Sequence, residues 1–164
     1  ALDVGRGQLA ESLRSDPRVV SMERTNARTI TAVTLPEPVS LATIDVSFIS
    51  LRLVLGPVAT TFAARDGDII ALVKPQFEAG RAQVHGGVVR DPAVHRMTVE
   101  GVVDAAGAIG LLPLDVIASP IRGPEGNREF LLHLRVGTVA AADANRAAAL
   151  AERISAAVAV PVGP

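Results

Sequence analysis

The chain has no cysteine, no tryptophan and no tyrosine, and only four phenylalanines. The missing cysteines exclude disulfides and thiolate metal ligands, and they fit a reducing, cytoplasmic setting. With aromatics scarce, the core must be built from Ala, Val, Leu and Ile. That palette suits an α/β domain in which Ala-rich helices cover an aliphatic sheet. An excess of one charge is also lacking: 16 basic residues face 17 acidic ones, for a net charge of −1. No global field draws the chain toward nucleic acid, so RNA contact would have to come from local arginine clusters or a partner domain. No apolar run is long enough to span a bilayer, and the N-terminus has no basic stretch followed by an apolar one. Lysine is the rarest charged residue, since all basic residues but Lys74 are Arg. One reading is a chance survivor in an Arg-biased chain. The other is that position 74 needs an amine able to lose its proton, which a guanidinium does not do.

The 164 residues suffice for one domain, and short β-rich runs alternate with helical stretches. Residues 1–4 read as the tail of a strand, 6–14 as a short helix and 18–22 as a second strand. A third strand is expected over 41–46, followed by a helix over 48–65 with apolar residues at helical spacing. Ile69 to Val73 is a continuous apolar run typical of a buried strand. Residues 75–91 read as a long loop with three glycines, a length that usually marks function. Asp91-Pro92 supplies a capping Asp and a Pro at the first helical position, for a helix running to Ile109 and stopping at Gly110. Strands follow over 111–118 and 129–135, joined by a Pro/Gly-rich turn, and an Ala-rich helix is expected over 139–159 before a fraying tail. The reading divides the chain into a main unit over 1–138 and a C-terminal helix and tail over 139–164. Strand–helix alternation predicts a mostly parallel sheet of Rossmann-like type whose last strand is antiparallel.

In such a sheet the site lies beyond the carboxyl ends of the parallel strands. Asp45 ends the third strand and Lys74 the fourth. Glu129 opens the antiparallel last strand and so belongs to the same edge. Topology alone therefore brings a carboxylate, the single amine and a second carboxylate to one rim. Blander alternatives exist: Asp45 as a helix cap, Lys74 as a surface charge, Glu129 as the partner of Arg128 or Arg135.

Five segments carry a resemblance: DVGRGQLAESLRSDPRVVSMERTNAR (3–28), DVSFISLRLVL (45–55), LVKPQFEAG (72–80), GGVVRDP (86–92) and SPIRGPEGNREFLLHLR (119–135). Together they resemble the TlyA family, also called haemolysin A, a relative of the FtsJ-type ribose 2′-O-methyltransferases. The resemblance implies an S-adenosylmethionine-dependent enzyme that methylates a ribose 2′-hydroxyl, of a cytidine in ribosomal RNA. It also implies a Lys-Asp-Lys-Glu tetrad, of which Asp45, Lys74 and Glu129 match the last three members. Asp3 matches the acidic residue that binds the cofactor ribose, Asn26 lies where the adenine is contacted, and Asp45 steers the cofactor's positive end. Glu125 falls off the tetrad position. The first Lys, the Gly-rich cofactor loop, the first strand and the S4-like RNA-binding domain of the family have no counterpart here. The chain is accordingly expected to be an N-terminally truncated member, inactive by itself. Its expected partner is ribosomal RNA or a ribosomal subunit, with no metal and no membrane. The alternatives are a non-catalytic remnant with a binding role and a membrane-active haemolysin. The expected C-terminal helix, with Asp143, Arg146, Glu152 and Arg153, makes a poor membrane binder.

Overall fold

A computed structural model describes residues 1–62, 66–137 and 144–159. After a single helical turn, α1 (Glu11–Arg14), the first strand is β1 (Leu41–Ile44). A 3-10 turn at Leu51–Leu53 leads into α2 (Leu55–Ala59), and β2 (Gly67–Val73) follows. The short α3 (Pro75–Glu78), a 3-10 turn at Arg81–Gln83 and the long α4 (Pro92–Ala108) come next. The chain closes with β3 (Leu112–Ala118), a 3-10 turn at Pro124–Gly126, β4 (Phe130–Val136) and α5 (Ala144–Ala159).

The clearest element, α4, forms where its sequence signals lie. Asp91 caps it by accepting a hydrogen bond from the Ala93 amide at 2.8 Å, and Pro92 opens the first turn. Gly110 ends it at φ 81°, letting the Leu111 amide reach back to the Ala106 carbonyl at 3.0 Å. Val94, Thr98, Val99, Val102 and Ala106 form the buried stripe. The helix expected over 48–65 is broken instead. Pro57 has no amide proton to give to Leu53, and the segment splits into the 3-10 turn and α2. Residues 63–65 of that expectation lie outside the described residues, as do 139–143 and the tail at 160–164.

The four strands lie in the order β1-β2-β4-β3, with β1 parallel to β2 and β4 antiparallel to both β2 and β3. This corrects the expected Rossmann-like, mostly parallel sheet: it is a mixed sheet with one parallel pair and two antiparallel pairs. The last strand does run antiparallel to its neighbours. But α4 carries β3 one strand's width beyond β2, and β4 folds back into that slot rather than onto the edge. The strands expected over 1–4 and 18–22 are reduced to one parallel bridge between Leu2 and Met22. Val20 there is half exposed, so little apolar burial rewards further pairing.

Register sorts the sheet into two faces. Ile69, Ala71 and Val73 lie opposite Leu134, Leu132 and Phe130, all fully buried. They pack in one core with Val99, Val102 and Ala106 of α4 and Ile154, Ala157 and Val158 of α5. The other face carries Asp68 opposite Arg135 and Ile70 opposite His133, with Asp68 accepting from both His133 (2.8 Å) and Arg135 (2.7 Å). None of the described helices is long and apolar enough to cross a membrane.

His95 on α4 is buried against the edge of the Phe130 ring, 5.8 Å between centroids. One ring nitrogen, Nε2, lies 2.9 Å from the Val89 carbonyl, while Nδ1 has no partner among the described residues. Burial above all, helped by the charge of Arg128, holds the imidazole below its usual 6.5. The unfolded chain then takes up a proton that the folded chain refuses. Stability is therefore unaffected by this group above about pH 6.5 and falls as pH drops below it. Urea midpoints at pH 7.5 and 5.5 should show that loss, and His95→Gln, which keeps a donor to Val89, should flatten it.

Candidate active site

Parallel pairing fixes the first half of the site. Ile44 lies opposite Ala71, so the chain beyond Ile44 and the chain beyond Val73 leave the sheet at the same edge. Lys74 Nζ sits there 2.7 Å from Asp45 Oδ1 and donates to Ser47 Oγ at 3.3 Å. The lysine side chain is 11% exposed and the aspartate 69%, so the amine lies inside the rim with its carboxylate at the mouth. Lys74 also lines a cavity of about 290 Å³ whose walls include Phe48, Gln76, Phe77, Glu125 and Asn127.

Antiparallel pairing supplies the second half. Phe130 lies opposite Val73, and one more step of that register brings Glu129 across from Lys74. Glu129 is buried, 5% exposed. Its Oε1 accepts from Gln76 Nε2 at 3.3 Å, and no ion pair joins it to Lys74. The Gln76 carbonyl oxygen, turned away from the carboxylate, is buried without a partner among the described residues. Gly123 leaves room for this arrangement, because a Cβ there would collide with the Glu129 carboxylate.

Of the three residues assigned to the cofactor, Asp45 lies at Lys74, while Asn26 and Asp3 stand apart from each other. Asn26 lines a second cavity, of about 760 Å³, that shares Ser47, Phe48 and Phe77 with the first. Its Oδ1 accepts from the Arg28 amide at 3.0 Å. Asp3 lies at a separate, smaller cavity with Gln8 and Glu23, and its Oδ1 accepts from the Gly5 amide at 2.6 Å. Among the described residues no cluster of His, Asp and Glu could hold a metal ion.

Two site residues escaped the sequence reading. Phe48 is 91% exposed with φ 61°, an uncommon backbone conformation for a bulky residue, and its ring meets that of Phe77 at a 47° tilt with centroids 5.1 Å apart. The available signal was its place two residues beyond the Asp45-Val46 pair in a chain with few aromatics. Asn127 is the other. Its Oδ1 accepts from the Val89 amide (3.2 Å), and its Nδ2 donates to the Gly87 (2.9 Å) and Pro124 (3.1 Å) carbonyls. It thereby stitches two glycine-rich turns into one wall of the Lys74 cavity. Nothing in the sequence links Asn127 to Gly87, 40 residues away.

With this geometry in view, comparison with known proteins places the chain. Residues 1–136 match the FtsJ-like methyltransferase family, and the chain belongs to that family. It is 52% identical over 139 residues to the 16S/23S rRNA (cytidine-2′-O)-methyltransferase TlyA of Mycobacterium tuberculosis, covering 84% of this chain and 52% of that protein. It is also 52% identical over 136 residues to "Putative rRNA methyltransferase YqxC" of Bacillus subtilis, covering 82% and 48%. A solved structure, "Putative hemolysin from Streptococcus thermophilus", superposes with a TM-score of 0.84 at 41% identity over 94% of this chain and 55% of that one. The chain thus spans about half the length of the curated relatives it matches.

Asn127→Ala strands the Val89 amide and the Gly87 carbonyl, while the Pro124 carbonyl keeps its bond from the backbone amide of residue 127. The expected loss is about 2–3 kcal/mol of unfolding free energy, measured by urea denaturation.

Proposed function

We propose that this chain carries the acceptor side of an RNA methyltransferase that moves the methyl group of S-adenosylmethionine onto a ribose 2′-hydroxyl of ribosomal RNA, a cytidine by analogy with the M. tuberculosis relative. The observation that carries the proposal is the lone lysine, set in a cavity wall with its amine held by Asp45 and Ser47. Family membership supplies the reaction class.

A ribose hydroxyl is a weak nucleophile, so a base must take its proton as the oxygen bonds to the incoming methyl. Lys74 Nζ is the group placed to take that proton. Asp45 and Ser47 fix where its nitrogen points, and the buried Glu129–Gln76 pair shapes the wall beside it. When bound, S-adenosylmethionine supplies a methyl group on a positively charged sulfur. The cavity lined by Asn26, Phe48 and Phe77 fits an adenine, with aromatic surface for the ring and an amide for its edge. Asp3 would meet the cofactor ribose through the carboxylate oxygen not engaged by Gly5, and Asp45 would face the positive sulfur. Holding nucleophile and methyl donor in line at contact distance supplies much of the acceleration.

Phe48 completes the acceptor side. Its ring, exposed beside the amine, is suited to stack on a base turned out of the RNA. The expected macromolecular partner is therefore ribosomal RNA or a ribosomal subunit.

Lys74→Arg keeps the charge and removes the base. In the complete gene product containing these residues, methyl transfer to ribosomal subunits should fall at least about 100-fold while thermal unfolding is unchanged. Transfer near the parental rate would end the proposal. Phe48→Ala should weaken RNA binding by about 1–2 kcal/mol, read by filter binding, because one stacked base loses its platform.

A further inference from the structure

Phe48 holds a conformation that its own contacts do not explain. A bulky residue at φ 61° is sterically disfavoured, and a ring 91% exposed gains little by burial. Such a conformation persists only where the surrounding structure over-determines it. The loop is pinned on its N-terminal side by Lys74, which holds Asp45 and Ser47. On its C-terminal side the pin is Glu78, a residue the proposed reaction does not use.

The Glu78 side chain is 2% exposed. Its Oε2 accepts from Ser50 Oγ at 2.6 Å and its Oε1 accepts from the Leu51 amide at 2.7 Å, with Arg52 Nε 3.6 Å from Oε2. Both hydrogen bonds are charge-assisted, the stronger class. Lys74 and Glu78 lie at either end of α3, one turn apart, and each grips one flank of Phe48. Phe77, on the same turn, meets the ring at a tilt.

We infer that Glu78 is a positioning residue for the acceptor side of the site. It clamps Ser50 and Leu51 so that Phe48 stands over the cavity while Asp45 and Ser47 face Lys74. The inference rests on the methyltransferase reading for what Phe48 meets, but the clamp itself is a matter of loop geometry. Gln at position 78 keeps the shape of the contact, with its carbonyl accepting from the Leu51 amide and its amide donating to Ser50 Oγ. Ala keeps neither.

The four phenylalanines make the clamp visible by fluorine NMR of the full chain carrying 4-fluorophenylalanine. Phe62 and Phe130 are buried core residues and report the fold, while Phe48 and Phe77 report the site. With Glu78→Ala, the Phe48 and Phe77 resonances should move to the position of the free amino acid while the other two stay. Glu78→Gln should restore both. In the complete gene product, Glu78→Ala should raise KM for RNA about tenfold, with the Gln variant close to parental. A Phe48 resonance unmoved in a folded Glu78→Ala chain overturns the inference. If that variant loses its core resonances, Ser50→Ala decides: it must shift Phe48 alone, and an unmoved Phe48 signal overturns the inference equally. The spectra need no turnover. A complete gene product that transfers no methyl yet shows these shifts would refute the methyltransferase reading and leave the clamp standing.

Discussion

The contact between Lys74 and Asp45 depends on two parallel strands ending at the same edge. Each residue follows the last position of its strand, so the pair forms only if β1 and β2 keep their register, Ile44 against Ala71. A slip by one residue would reverse which face each side chain takes and would part the amine from its carboxylate. The register is held by burial: Ile44 and Ala71 are both in the core, and neither can move to the opposite face without exposing apolar surface. The geometry proposed for catalysis is thus paid for by ordinary core packing some distance from it.

The insertion of β4 between β2 and β3 has a second consequence. It places Glu129 next to β2 rather than at an outer edge, where the carboxylate is enclosed and meets Gln76. The short α3 then becomes the junction of the site. Within a few residues, Lys74, Gln76, Phe77 and Glu78 reach Asp45, Glu129, Phe48 and Ser50 respectively. A single turn of helix joins the ends of three strands, and a disturbance at one of its residues reaches the others through a rigid backbone.

Much of this was legible in the chain because the signals are local. Asp91-Pro92 and Gly110 bracket α4 through capping and a left-handed glycine. The apolar run before Lys74 marks β2. The tight, Pro/Gly-rich connection before Glu129 requires an antiparallel return. The apolar residues near the N-terminus suggest strands, but pairing also needs a partner surface and burial, and only the Leu2–Met22 bridge forms. Apolar spacing alone extends the helix over 48–65, whereas Pro57 breaks it into a 3-10 turn and α2. The long loop after Lys74 contains α3, hidden because one turn is too short to show a period.

The sequence by itself determined the cappings, the strand interiors, the sense of the last strand and the presence of one lysine in a chain of arginines. These follow from torsional preference and apolar spacing, which act between near neighbours. Tertiary structure alone decided the strand order, the enclosure of Glu129 by Gln76, the Asn127 stitch and the grip of Glu78 on Ser50 and Leu51. Those contacts join residues tens of positions apart, and a hydrogen bond between distant groups leaves no periodic trace in the chain. It exists only once the core has fixed which loops stand face to face.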